Sequence, residues 1–136
     1  MGDQAGLATT YNNIGLIHNA QGNYPEALAW YEKSIKIKER IGDQAGLAAT
    51  YNNIGAIHQN QGNYQEALLW YEKSKEILER IGDRHHLAMS LANIGILYHD
   101  TGKKDKAKQT FQQSHQLYLQ LNLPSEAEEV KQLLEN

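Results

Sequence analysis

A forty-residue block, GDQAGLATTYNNIGLIHNAQGNYPEALAWYEKSIKIKERI, runs from Gly2 to Ile41, returns almost verbatim from Gly42 to Ile81, and returns again in diverged form from Gly82 to Leu121. The first two copies differ only at Thr9/Ala49, Leu16/Ala56, Asn19/Gln59, Ala20/Asn60, Pro25/Gln65, Ala29/Leu69, Ile35/Lys75, Lys36/Glu76 and Lys38/Leu78. Self-similarity at this spacing predicts a stack, in which no unit buries its apolar face alone and each leans on the next. With 136 residues the expectation is a single domain spanning residues 1–136, whose core is a seam along the stack. Met1 is followed directly by a repeat boundary, as expected of a piece cut from a longer array.

Inside each block helical spacing occurs twice, with a glycine between the two runs. Tyr11, Ile14, Gly15 and His18 fall at i, i+3, i+4 and i+7, on one face of a first helix, and Tyr24, Ala27, Leu28 and Tyr31 do the same for a second. First helices should start at Asp3, Asp43 and Asp83, which suit an N-cap, and end at Gly22, Gly62 and Gly102, which suit a left-handed C-cap. Asn23 with Glu26, and Asn63 with Glu66, have the spacing of a capping box. Pro25 fits a first helical turn, where its missing N–H costs nothing. Lys103, Lys104 and Asp105 replace this punctuation in the third block, so its second helix should start less firmly. Gly42 and Gly82 end the second helices. After Leu121 the repeat fails, and Pro124 with an apolar stripe of Ala127, Val130, Leu133 and Leu134 predicts a C-terminal capping helix over about 124–135.

The arrangement resembles the tetratricopeptide repeat, carried by Tyr11, Ile14-Gly15, His18, Ala27, Tyr31 and Ser34. Tyr51, Ile54-Gly55, His58, Ala67, Tyr71 and Ser74 match in the second copy, and Leu91, Ile94-Gly95, Tyr98, Ala107, Phe111 and Ser114 in the third. A forty-residue period exceeds the 34 residues usual for that repeat and approaches the HEAT and armadillo range. The additional residues fall where the shorter repeat has its closing proline, and IGDQAG or IGDRHH there lengthens both helices. This longer form is similar to the repeats of kinesin light chain, the Pins/LGN polarity adaptors and many bacterial arrays. The resemblance implies an all-α fold, a right-handed α-solenoid of three helical hairpins (2–41, 42–81 and 82–121) plus the cap. Small residues should face large ones, with Gly15, Gly55 and Gly95 admitting the partner helix at about 1 kcal/mol of helix propensity each, Ala27, Ala67 and Ala107 facing them and the aromatics filling the gaps.

The resemblance also implies a concave groove lined by the first helices. The candidate ligand-binding residues there are Asn12, Asn13, Leu16 and Asn19; Asn52, Asn53, Gln59 and Asn60; and Met89, Asn93, Ile96 and His99. Asn13, Asn53 and Asn93 recur once per unit, and an amide can both donate to and accept from a peptide backbone. The same amides could instead join neighbouring helices or persist as relics of duplication. None of the groove positions is basic, whereas chaperone-binding relatives of this family hold a terminal carboxylate with Lys and Arg. A neutral or apolar ligand is therefore expected.

Other residues suggest less. His18 and His58 lie on the packing face, where Tyr98 stands in the third unit, and read as packing. His85 and His86 start a helix that His99 ends, about 20 Å away, so they cannot share an ion within one molecule. No metal site is expected. Lys103, Lys104, Lys106 and Lys108 form a basic cluster at a helix start, a solvated face or a site for an acidic partner. Trp30 and Trp70 sit beside the main stripe of the second helices, as seam packing or as contacts for a partner. Glu32, Glu39, Glu72 and Glu79 recur as surface carboxylates would.

Composition narrows the function. The net charge of −3 offers no broad cationic surface for nucleic acid, and no cysteine is present for thiol catalysis or thiolate metal sites. No apolar run is long enough to span a bilayer, so a cytoplasmic location is the default expectation. There is no nucleophile elbow, P-loop or HExxH, hence no catalytic residue and no cofactor are expected. The expected function is a non-enzymatic scaffold that binds a protein or peptide segment, without nucleic acid or membrane as partner. The alternative is a homo-oligomer formed through the uncapped first repeat, possessing an apolar edge.

Overall fold

The computed structural model describes residues 3–136, so the predicted repeat start at Gly2 lies outside the described residues. Among the described residues there are seven α-helices and no strand. They are α1 (Gln4–Ala20), α2 (Tyr24–Ile41), α3 (Gln44–Asn60), α4 (Tyr64–Ile81), α5 (Arg84–Asp100), α6 (Lys104–Gln120) and α7 (Pro124–Glu135). The chain divides inside α4 into two compact units, one ending at Trp70 and one running from Tyr71 to Asn136.

The predicted aspartates start the first helices. Asp3 Oδ1 accepts from Gly6 N at 2.9 Å, Asp43 Oδ1 from Gly46 N at 2.9 Å, and Asp83 Oδ1 from His86 N at 3.1 Å, each satisfying an N–H that the helix leaves open. The capping box expected at Asn23 and Glu26 does not form. Asn23 occupies the N-cap position of α2 without a side-chain capping bond, and its Nδ2 donates instead to Gln21 Oε1 at 3.2 Å. Pro25, in the first turn, removes one of the N–H groups that such a cap uses. Lys103, at the same place before α6, also makes no capping bond, so the third block differs less from the first than its sequence suggests.

The tight connections have one backbone requirement, a positive φ. Gly22, Gly42, Gly62, Gly82 and Gly102 take φ between 75° and 81°. Eighty residues after Gly42, in the α6–α7 connection, Asn122 takes φ 58°, a conformation that asparagine tolerates better than most side chains. The forty-residue turn thus persists one step beyond the last recognisable block.

In the first unit α1 and α2 form an antiparallel hairpin, against which α3 packs through α2. Gly15 lies under the ring of Tyr31, so close that a Cβ on Gly15 would stand 2.5 Å from Tyr31 Cε1. Ser34 Oγ donates to Ala8 O at 2.8 Å, latching the two helices with a buried hydrogen bond across 26 residues of sequence. Ala27, Tyr31, Ile54 and Ile57 form the buried cluster, with Tyr24, Leu28, Ile35 and Trp70 packed against it.

The second unit repeats this grammar with different residues. Gly95 lies under Phe111, and Ser114 Oγ donates to Ala88 O at 2.7 Å. Its core joins Ala88, Ala107, Phe111 and Tyr118 to Ala127 and Val130 of α7, with Leu133 and Leu134 packed alongside. The apolar stripe of α7 therefore covers α6.

Candidate ligand-contacting surface

The predicted groove residues divide by what their side chains already do. On α1, Asn13 and Leu16 are exposed, while Asn12 and Asn19 are half-buried. Asn12 Oδ1 lies 3.1 Å from Thr50 Oγ1, which ties α1 to α3, and Asn19 Oδ1 is buried without a hydrogen-bond partner. On α3, Asn52, Asn53 and Gln59 are half-buried and Asn60 is exposed. Asn52 and Gln59 already have partners. In the second unit Met89 and His99 of α5 are exposed, and Asn93 and Ile96 are half-buried. Asn93 already has a partner, and His99 Nδ1 lies 3.5 Å from Asp100 Oδ1. Ile96 packs against the C-terminal core, and with His99 it borders a cavity of about 190 Å³ closed by Phe111, Leu133 and Asn136.

A larger groove of about 630 Å³ in the second unit involves none of the predicted residues. Its floor is Leu87, Leu91 and Leu117, one wall is the Gln109, Gln112, Gln113 and Gln116 row of α6, and Lys75 and Glu79 of α4 face it. The row has i, i+3, i+4 and i+7 spacing and was legible in the sequence as a polar stripe, but only the packing of α5 beneath it makes a groove.

Lys38 is the residue that sequence reasoning missed. Its side chain is 6% exposed, and Nζ donates to Thr50 Oγ1 at 2.8 Å and to Gly46 O at 3.3 Å. The Thr50 hydroxyl has one proton to give, to Asn12 Oδ1 or to Gly46 O, both at 3.1 Å. Burial lowers the Lys38 pKa, and the Asp43 carboxylate opposes that shift. The available signal was the exchange Lys38/Leu78, which places a cation where the next copy has an aliphatic side chain. Removing the Thr50 hydroxyl with Thr50→Val is expected to cost about 1.5–3 kcal/mol, since a buried ammonium then loses its shorter hydrogen bond. Chemical denaturation measures this, and a change below a few tenths of a kcal/mol would show that the network contributes nothing.

The remaining polar and aromatic groups decorate the second helices and the helix ends. Trp30 is half-buried, with its ring 5.5 Å from that of Tyr11 and Lys33 Nζ 4.6 Å above it, and Trp70 stands 5.4 Å from Tyr51. The tryptophans thus pack on first-helix tyrosines of their own hairpins. Lys103, Lys104, Lys106 and Lys108 are exposed, with Lys106 Nζ 5.7 Å from the Tyr98 ring centroid. His18 and His58 are half-buried with Nδ1 unpartnered, and among the described residues no three His, Cys, Asp or Glu side chains converge as a metal site would need. No helix among the described residues is long and apolar enough to cross a membrane.

Comparison with known proteins agrees with this hairpin grammar. The tetratricopeptide repeat family model matches residues 6–80 and, one repeat later, residues 46–120. No curated protein matches the sequence. Among solved structures, the N-terminal domain of stress-induced protein-1 (STI-1) from C. elegans superposes with a TM-score of 0.74 at 18% identity, covering 96% of this chain and 99% of that one. BtubC (BKLC) from P. vanneervenii gives a TM-score of 0.71 at 19% identity over 99% of this chain, and the apo form of RapI gives 0.85 at 18% over 93%. This chain spans 64% of the length of the former and 36% of the latter. At such identities the likeness concerns the fold alone. Two overlapping family matches, offset by the forty-residue period and together reaching from residue 6 to residue 120, place the chain in the tetratricopeptide repeat family.

Proposed function

We propose that the chain is a non-enzymatic scaffold that binds a neutral peptide or protein segment on the first helices of its units, through the amides of Asn13 and Asn53 in the first unit and of Asn93 in the second. The family is a protein–protein interaction fold, generally without catalytic machinery, and its members bind protein or peptide partners. The observation that carries the finer reading is the character of α1 at this position. Asn13 is exposed beside exposed Leu16, a neutral amide next to an apolar side chain with no formal charge between them. Amides at this position recur every forty residues, at Asn53 and Asn93. Met89, exposed on α5, adds an adaptable apolar contact in the second unit. A neutral backbone with apolar side chains suits such a surface better than an acidic or basic segment.

Calorimetric titration of a peptide library against the chain and against an Asn13/Asn53/Asn93→Ala variant tests the reading. Each lost hydrogen bond is worth about 0.5–1.5 kcal/mol, so the variant should bind the selected peptide roughly tenfold or more weakly. Equal affinity for both proteins would remove these amides from the account. A second reading, self-association through the first hairpin, draws on the exposed apolar residues of α1, Leu16 and Ile17.

A further inference from the structure

We infer that the groove between α4 and α6 is a peptide site distinct from the first-helix surface, taking an extended segment with apolar residues at alternate positions and one acidic and one basic residue between them. A change of chemistry between blocks is the first observation. On the second helices, the positions that build the groove wall are Glu32, Lys33 and Lys36 in the first block and Glu72, Lys73 and Glu76 in the second. The third block has Gln112, Gln113 and Gln116 there, and Gln109 extends the row where the earlier blocks have Ala29 and Leu69. A stripe that only meets solvent is served as well by charges, which the earlier blocks keep. In the third block every charge on this row is gone, while all four amides stay exposed above a floor of leucines.

The geometry of the wall selects the occupant. An amide both donates and accepts, so the row suits a partner whose backbone N–H and C=O groups are unpaired, as they are in an extended segment and are not in a helix. Along one edge of an extended segment these groups return every second residue, about 6.6 Å apart. Gln109 with Gln113, and Gln112 with Gln116, stand one i,i+4 step apart, about 6 Å along α6. A segment laid along α6 therefore meets an amide at each return, with its alternate side chains directed at Leu87, Leu91 and Leu117. The volume of about 630 Å³ lies within the range of ligand sites.

Charge fixes the positions between. Across the groove Lys75 and Glu79 are also one i,i+4 step apart, on α4. Lys75 Nζ lies 3.9 Å from Glu72 Oε2 with both side chains partly exposed, a contact weak enough to yield to a ligand. One carboxylate and one cation, two residues apart in the bound segment, meet opposite charges at these two residues. A second folded copy of this chain does not fit. Among the described residues it has no strand, and its longest connections, such as 21–23, hold three residues. The occupant is thus a segment of another protein. This inference does not depend on the first-helix amides proposed above.

The test uses the full chain and three dye-labelled pentapeptides, acetyl-Leu-Glu-Leu-Lys-Leu-amide and its versions with Glu or with Lys at both inner positions. Fluorescence anisotropy should show saturable one-to-one binding of the mixed-charge peptide, with the side-chain amide resonances of Gln109, Gln112, Gln113 and Gln116 shifting in proportion. The two like-charged peptides should bind roughly three- to tenfold more weakly. Lys75→Glu should reverse that order, so that the doubly basic peptide becomes the tighter ligand. The triple change Gln112→Glu, Gln113→Lys and Gln116→Glu restores the wall of the second block with equally good helix formers. It should weaken binding roughly tenfold or more while circular dichroism stays unchanged. The Asn13/Asn53/Asn93→Ala variant should bind these peptides as the unsubstituted chain does, which separates failure of the first-helix reading from failure of this one. No saturable binding, binding indifferent to the triple change, or an order of peptides unmoved by Lys75→Glu overturns the inference. So does equal or tighter binding of a lactam-held helical peptide with leucines at i, i+3 and i+4, since the occupant would then be a helix.

Discussion

Phe111→Ala is expected to lower the unfolding free energy by about 3–5 kcal/mol, as for other large-to-alanine changes in close-packed cores. Phe111 is 3% exposed and sits where α5, α6 and α7 meet, in the cluster with Ala107, Tyr118 and Val130. Its closest approach is to a residue with no side chain: a Cβ built on Gly95 would stand 2.6 Å from Phe111 Cδ1 and Cε1. That contact gives the prediction its diagnostic half. Gly95→Ala should destabilise by about 1–3 kcal/mol through overpacking, although alanine is the better helix former by about 1 kcal/mol. In a Phe111→Ala background the clash disappears and only the propensity remains, so the same Gly95→Ala change should become stabilising. Urea denaturation of the four proteins in the cycle measures the reversal. If Gly95→Ala costs the same with and without the ring, the glycine is required by something other than Phe111.

The legibility of this fold follows from where its constraints lie along the chain. Asp3, Asp43 and Asp83 cap local N–H groups, and Gly22, Gly62 and Gly102 meet a local backbone requirement, so all six could be read from sequence. Gly15 was legible as a close-approach site within one hairpin, but the residue over it is the Tyr31 ring, where Ala27 was expected, because which side chain of α2 meets the glycine depends on how the two helices are set against each other. Asn23 was misread because capping depends on which hydrogen bond an amide chooses, and Gln21 offered another. Lys38 was missed for a different reason. Periodicity places it on a surface, whereas its partners, Thr50 and Gly46, belong to the next hairpin and are reached only after packing. The same distinction separates the neighbouring amides Asn12 and Asn13, since only tertiary contact engages the first with Thr50 and leaves the second exposed.

Raising the pH is expected to unfold the chain cooperatively between about pH 10 and 12, driven by Tyr31 and Tyr71. Both rings are essentially inaccessible, at 0% and 2% exposure, and burial pushes each hydroxyl from 10.0 up to about 12. The folded state therefore keeps protons that the unfolded state has released, and its stability falls as pH rises through this window. At lower pH both states are protonated and the contribution is fully present. A two-unit shift corresponds to about 2.7 kcal/mol, so the pair removes about 5 kcal/mol, comparable to the whole stability of many domains. Lys38 acts in the opposite sense, because burial lowers its pKa and the unfolded chain then holds more protons up to the ordinary lysine value of 10.5. That effect is complete by about 10.5, whereas the tyrosine effect continues to about 12 and decides the outcome. Tyrosinate absorbance and far-ultraviolet circular dichroism, followed together, measure it. The buried pair should ionise in a step coincident with loss of helix. Tyr31 Oη has no hydrogen-bond partner, so Tyr31→Phe should cost little near neutrality and should move the alkaline midpoint upward. A single smooth ionisation near pH 10 with the helices intact would mean that water reaches both rings.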